Sequence, residues 1–234
     1  MTFRELINEV LIRLREETIS TDWSGNINES NTVTDYQKVI GSLVNDAKRH
    51  CEGNHDWLAL RDTYIVTTAD GTMQYTLGNA SSGAGNNFKV MDVINQETGR
   101  HLTQASSEWL NARSFPVANV STGEPAHYGF NGSTPRTGGR PNDMNVDLYP
   151  VPTEAQSINF NIIKPQSQLK IATDTISIPS HPVVLGSYAR AISERGEDGG
   201  TQSSMAAQES VQALKEAIML DSGNTEFESD WYVK

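Results

Sequence analysis

The hydrophobic pattern of the chain changes period twice, from helical to alternating and back again. Thr2 and Glu5 stand at capping-box spacing, and Phe3, Leu6, Ile7, Val10, Leu11 and Leu14 follow on one face, which predicts an N-terminal helix. The polar stretch "STDWSGNINESNT" breaks that period and reads as loop. Thr34 and Gln37 repeat the box spacing. Tyr36, Val39, Ile40, Leu43, Val44 and Ala47 form a second stripe, with Gly53 placed to terminate it.

From about Asp62 the period becomes 2. "DTYIVTTADGTMQYTL" sets Asp70 and Gly71 between two alternating runs, which predicts a hairpin. "FKVMDVIN" reads as a further strand closed by a turn at Thr98 and Gly99, and Ser107 to Arg113 as a short helix. "AHYGF", "MNVDLYP" and "SINFNII" read as strands with one buried face. Asp143 to Pro165 is read as two strands facing each other across a proline-rich corner.

After "TISIP" the helical period returns. Ser180 is placed to cap a helix with Pro182 in its first turn, carrying Val184, Leu185, Tyr188 and Ile192 inward as far as Gly196. A last helix carries Ala207, Val211, Leu214 and Ile218. These readings predict an α+β fold. Residues 1–61 and 179–222 form an α-helical bundle, 62–178 an inserted antiparallel β domain, and 223–234 an extended C-terminal tail.

Composition narrows the function. A net charge of −11 argues against a sequence-reading nucleic-acid binder, which needs clustered Lys and Arg on phosphates. The first seventeen residues carry charges through their apolar stripe, so they read neither as a signal peptide nor as a spanning helix, and no membrane partner is expected. The single cysteine, Cys51, excludes an internal disulfide framework and fits a reducing compartment.

A search for reactive groups finds little. Acidic pairs such as Glu16–Glu17 or Glu226 with Glu228 sit on expected helix ends or in loops and read as solvated surface. His50, Cys51 and His55 are close in sequence, but Cys51 and His55 at i, i+4 supply at most two of the three ligands a metal needs, and Cys51 reads as core filler. "SSGAGNNF" lacks the third glycine of a phosphate cradle. Ser180 and His181 are explained by a proline-started helix without a triad. Trp57 and Trp109 could serve a carbohydrate-binding module as stacking platforms, and are read instead as anchors between helix and sheet. No catalytic residue, metal or cofactor is therefore assigned.

Two segments remain as candidate interfaces. Arg136 and Arg140 project from the Gly- and Pro-rich "NGSTPRTGGRP" in an otherwise acidic chain, either as a solubilising loop or as a contact to an acidic subunit or partner. Phe227, Trp231 and Tyr232 sit among acids in "GNTEFESDWYVK", which is either a solvated end or a docking segment.

The order of these pieces resembles the head-to-tail adaptor proteins of short-tailed bacteriophages, also called tail tubular or head-completion proteins. The likeness runs from the helical pair through "YIVTTADGTMQYTL" and "FKVMDVINQETGRHLTQASSEWLNAR". It continues through "GEPAHYGFNG", "VDLYPVPTEAQSINFNIIKPQSQL" and "DTISIPSHPVVLGSYARAISERG", with the family's Pro-x-Pro corner at Pro150 and Pro152 and its strand-ending proline at Pro165. The resemblance implies a non-enzymatic virion protein assembled in the host cytoplasm. It implies a homo-oligomeric ring of twelve copies beneath the portal protein, joined to a tail nozzle or tail tube protein, with a tail fibre as a further contact. DNA would pass through the channel without sequence-specific binding, which suits an acidic protein. In this reading the β domain braces neighbours or the tail, the first and last helices face neighbouring copies, and the aromatic tail reaches the portal. The alternatives are a neck, stopper or tail-completion protein of a long-tailed phage, or a virion-associated peptidoglycan hydrolase. The hydrolase needs two carboxyl groups about 5 to 9 Å apart, and the sequence offers no candidate pair.

Overall fold

The structure, a computed structural model, describes residues 1–78, 83–114, 120–134, 142–196 and 200–223. Its contacts divide the chain into two compact units, residues 1–60 with the described part of 165–234, and residues 61–164. The architecture is α+β: helices dominate the first unit and two small sheets make the second.

Helix α1 (Phe3–Arg13) begins at a complete capping box. Thr2 Oγ1 accepts from the Glu5 amide and the Glu5 carboxylate accepts from the Thr2 amide. Helix α2 (Asp35–Gly53) repeats the device with Thr34 and Gln37. Both boxes are local in sequence, which is why spacing alone located them. Gly53 is the last helical residue of α2 and Asn54 the cap, so that end is not the glycine-terminated turn expected. Helix α4 (Ser180–Arg195) starts after Pro179 with no side-chain cap bond, so Ser180 is the first helical residue and not the cap. It ends at Gly196, whose φ of 65° is the left-handed conformation glycine adopts without a Cβ clash.

Helix α5 (Thr201–Ser222) packs against α4, which also packs on α1 and α2. Its buried line is Ala206, Ala213, Leu214 and Ala217. The stripe read from the sequence is thereby rotated, because Ala207 and Val211 face out. Alanine fits either side of a helix, so the period alone left the facing undecided.

Two stretches without periodicity help build the core of this unit. In the loop between α1 and α2, Ile19, Trp23, Ile27 and Val33 are all buried, and Ile27–Glu29 forms a short 3-10 turn. Trp23 packs edge-on against Phe3, and its indole N–H donates to the Lys170 carbonyl at 2.9 Å. Residues 165–178, grouped with the β region in the sequence reading, instead hydrogen-bond to helices of this unit. Leu169 N–H donates to Asn45 Oδ1 at 2.9 Å, Asn45 Nδ2 donates back to the Leu169 carbonyl at 3.0 Å, and Phe3 N–H donates to the Asp174 carbonyl at 2.7 Å. Backbone polar groups need partners when buried, and polar side chains on α2 and the first backbone amides of α1 supply them here.

The second unit contains strands β1 (Arg61–Thr67), β2 (Gln74–Thr76), β3 (Lys89–Asn95), β4 (Thr103–Gln104), β5 (His127–Thr134), β6 (Asp143–Tyr149) and β7 (Ser157–Ile163), with helix α3 (Ser107–Ser114) between β4 and β5. They form a three-stranded sheet, β1-β7-β3, and a four-stranded sheet, β2-β6-β5-β4. Neither hairpin read from the sequence exists. β1 pairs with β7 while β2 pairs with β6, so the Asp70–Gly71 turn carries the chain from one sheet to the other. β6 and β7 likewise lie in different sheets, and Pro150 and Pro152 stand in the connection between them. Alternation identifies a strand's buried face but not its neighbour, which is how both corners passed for hairpins. The pairing is also not wholly antiparallel, because β4 runs parallel to β5.

Inner faces of the two sheets share one core. Tyr64, Val66, Phe160 and Ile158 come from the first sheet, and Tyr128, Val146 and Leu148 from the second. Aromatic edges meet there, with Tyr128 and Phe160 ring centroids 5.6 Å apart.

Candidate interaction surfaces

A buried ion pair lies on α2. Lys48 and Glu52 are one turn apart and both buried, with Nζ 3.0 Å from the carboxylate. Lys48 Nζ also donates to the Gln166 carbonyl at 2.7 Å, and Glu52 accepts from the Gln166 amide at 3.2 Å. The Gln166 side chain is occupied as well, donating to the Thr175 carbonyl and accepting from the Ser177 amide. The pair thus holds the start of the 165–178 segment on α2. Burial pushes the Lys48 ammonium below its ordinary range and the Glu52 carboxyl above its own, while each opposes the other's shift. Because every atom in the cluster is engaged within the fold, its work is structural.

His50, Cys51 and His55 do not form a site. Cys51 is buried, and burial pushes its thiol up to about 11. His55 lies 3.0 Å from Asp221 near the end of α5 and packs edge-on against Trp57. Trp57 is buried and donates to the Cys51 carbonyl at 2.9 Å. Among the described residues, no three His, Cys, Asp or Glu side chains converge as a metal site would require.

On the second unit, Trp109 of α3 makes an aromatic cluster that spacing could not show. The Arg113 guanidinium stacks 3.8 Å from its ring, and His127 and Tyr149 lie 4.7 and 5.5 Å away by centroid. Helix α3 can approach the sheet because Gly129 has no side chain: a Cβ there would come within 2.4 Å of Leu110 Cδ1. The adjoining surface is a polar ladder, in which Gln74 and Asn131 both donate to Asp147, and Thr76 and Thr134 to Asn145.

Large apolar side chains remain at the surface of both units. On the helical unit they include Ile12 of α1 and Met205, Met219 and Leu220 of α5, the last two being 74% and 75% exposed. On the outer side of the three-stranded sheet, Ile65 is 61% and Met91 44% exposed. On the same side, Asn159 Oδ1 is buried with no hydrogen-bond partner among the described residues. Sequence patterning missed Met219 and Leu220 because they lie off the stripe it drew on α5. Arg136, Arg140, Phe227, Trp231 and Tyr232, the candidates chosen from the sequence, all lie outside the described residues.

Among the described residues no helix is long and apolar enough to cross a membrane. No curated protein sequence matches the chain. A family model described as SU10 adaptor protein matches residues 1–229. The match spans both units, and agrees with the order of elements that resembled head-to-tail adaptors. The chain therefore belongs to the SU10 adaptor protein family and is a structural adaptor of the phage virion.

Proposed function

We propose that twelve copies of this chain form a ring beneath the portal, joining the capsid to the tail and continuing the DNA channel. Family membership over residues 1–229 carries the reading. The apolar side chains exposed on α1, α5 and the three-stranded sheet support it, because an assembling protein needs surfaces that are completed only by neighbours. A net charge of −11 suits a conduit that must let phosphate pass without holding it.

In this arrangement α1 and α5 face neighbouring copies, and the two-sheet unit braces the next copy and the tail nozzle or tail tube protein. The loop with Arg136 and Arg140 contacts a partner, and Phe227, Trp231 and Tyr232 anchor the tail segment 223–234 on the portal. Assembly takes place in the host cytoplasm.

Electron microscopy of the purified protein mixed with its portal tests the reading. Twelve-fold density attached to one face of the portal is the expected result. A complex of another symmetry would indicate a neck or stopper role, and particles in which the portal stays bare would overturn the proposal. Deleting residues 223–234 is expected to weaken portal binding, and undiminished binding would remove the tail's assigned role. Clearing of peptidoglycan in a zymogram would replace a mechanical role with a hydrolytic one.

A further inference from the structure

We propose that the outer edge of β1 receives an extended segment of the tail protein that meets the ring, as an added strand. The inference rests on the ring reading, in which the two-sheet unit faces the tail, and specifies how that contact is made.

The two sheets are joined along one side and open along the other. On the joined side, residues 100–104 bridge β3 and β5. The Leu102 amide donates to the Val93 carbonyl and the Asn95 amide to the Arg100 carbonyl, both at 2.9 Å, while Thr103 and Gln104 pair with β5. On the open side stand β2, three residues long, and β1, seven. Among the described residues β1 has β7 as its one neighbour, and its sheet is a strand shorter than the sheet with which it shares a core.

Register fixes which way the β1 backbone points. The Thr68 amide donates to the Gln156 carbonyl, continuing the β1–β7 pairing, so the backbone groups of Asp62, Tyr64 and Val66 also face β7. Those of Arg61, Thr63, Ile65 and Thr67 face away. The Thr63 amide is taken by the Asp62 carboxylate at 2.9 Å, which blunts the beginning of the edge. Ile65 and Thr67 are exposed, and no outward backbone hydrogen bond reaches them among the described residues. Two amides and two carbonyls therefore stand in a row on a β-branched stretch, Ile65 to Thr67, with no charge or proline to close it.

Such a row selects its occupant. A helix has spent its own amides and carbonyls, so the partner is an extended polypeptide that adds a strand. A second copy has no strand to give among the described residues: β2 and β4 span three and two residues, and β3 is covered by residues 100–102. Pairing β1 on β1 is two-fold and stops at two copies. Residues 135–141 carry two prolines and two glycines, which suit a strand ladder poorly. Residues 223–234 go to the portal in the ring reading. The donor is then the other protein that the two-sheet unit meets, at the tail.

Hydrogen exchange resolved to single amides tests the contact on the full-length chain, on rings assembled on the portal, and on those rings with purified tail protein added. The Ile65 and Thr67 amides should exchange fast in the first two and slow about tenfold or more in the third, with Val66 slow throughout. Ile65→Pro removes an outward donor and spares the β7 ladder, so portal-bound rings should form normally and capture tail protein about tenfold less well. Thr67→Lys sets a charge on the edge without altering the backbone groups and should also weaken capture, which keeps the test open if Ile65→Pro lowers the melting temperature. Unchanged exchange at Ile65 and Thr67 in rings that hold tail protein, or full capture by both variants, would overturn the added strand and leave the ring standing. Slowing on ring formation alone would overturn it by showing a second copy or the portal as occupant. A wild-type chain that never assembles would remove both readings.

Discussion

Thr68 and Gln156 hold each other across the two places where the chain changes sheets. The Thr68 amide donates to the Gln156 carbonyl at 2.8 Å, and the Gln156 amide donates back to Thr68 Oγ1, also at 2.8 Å. Thr68 Oγ1 in turn donates to the Glu154 carbonyl at 2.7 Å, and Gly71 N–H donates to the Pro152 carbonyl at 3.0 Å. The corners after β1 and after β6 are thereby fastened together, which keeps the two sheets in fixed relation around their common core. Thr68→Val keeps the shape and strands the Gln156 amide without an acceptor. A buried unpaired donor costs about 1–3 kcal/mol, so urea unfolding should shift by that amount. Thr68→Ser, which keeps the oxygen, should lie close to wild type, and equal loss in both variants would assign the effect to packing.

Much of the fold was legible in the sequence where the cause is local. Thr2 with Glu5 and Thr34 with Gln37 announced helix starts because a cap and its partner sit three residues apart. What could not be read is non-local. Val66 and Phe160 show alternation, but nothing in it says that β1 pairs with β7 and not with β2. Asn45, Lys48 and Glu52 look like surface on a helical wheel and are buried, because their partners lie in a segment more than a hundred residues away. Composition selected Arg136 and Trp231 as interface candidates, whereas the exposed pair Met219 and Leu220 needed the observed facing of α5.

Gly129 tests how α3 is seated. An added Cβ would come within 2.4 Å of Leu110 Cδ1 and 2.8 Å of the Ala105 carbonyl oxygen. The first contact can be relieved by a rotamer change; the second involves backbone and cannot. Gly129→Ala should therefore cost roughly 1–3 kcal/mol, in the range of overpacked cores. Leu110→Ala added to it should recover only part. The Trp109 cluster moves with α3, so tryptophan near-UV circular dichroism should change in the single variant, and an unaltered spectrum with wild-type stability would refute the account.

Lys48→Met leaves Glu52 buried without its cation, a change that costs about 3–5 kcal/mol for such pairs. The pH dependence has a definite sign. Burial already holds the Glu52 carboxyl above its ordinary value, and removing Lys48 moves it further up. The folded variant then retains a proton that the unfolded chain releases, so Glu52's contribution is favourable below the ordinary carboxylate pKa and is lost as pH rises through the folded one. Stability relative to wild type should accordingly recover as pH is lowered from neutrality toward the ordinary carboxylate range. Lys48→Met with Glu52→Gln keeps an acceptor for the Gln166 amide and should abolish that recovery. Denaturant midpoints measured across the pH range decide it.

Cys51 provides the sharpest readout of the helical unit. It is 3% exposed, and burial pushes its thiol up to about 11 from an ordinary value of 9.0. The thiolate is the reacting species, so a rise of that size alone makes labelling by an aromatic disulfide roughly a hundredfold slower at pH 8. Loss of access slows it further. In the native protein Cys51 should react only as the helical unit opens, and in denaturant immediately and with one equivalent. Rapid stoichiometric labelling of the folded chain would show that α2 is not covered as described.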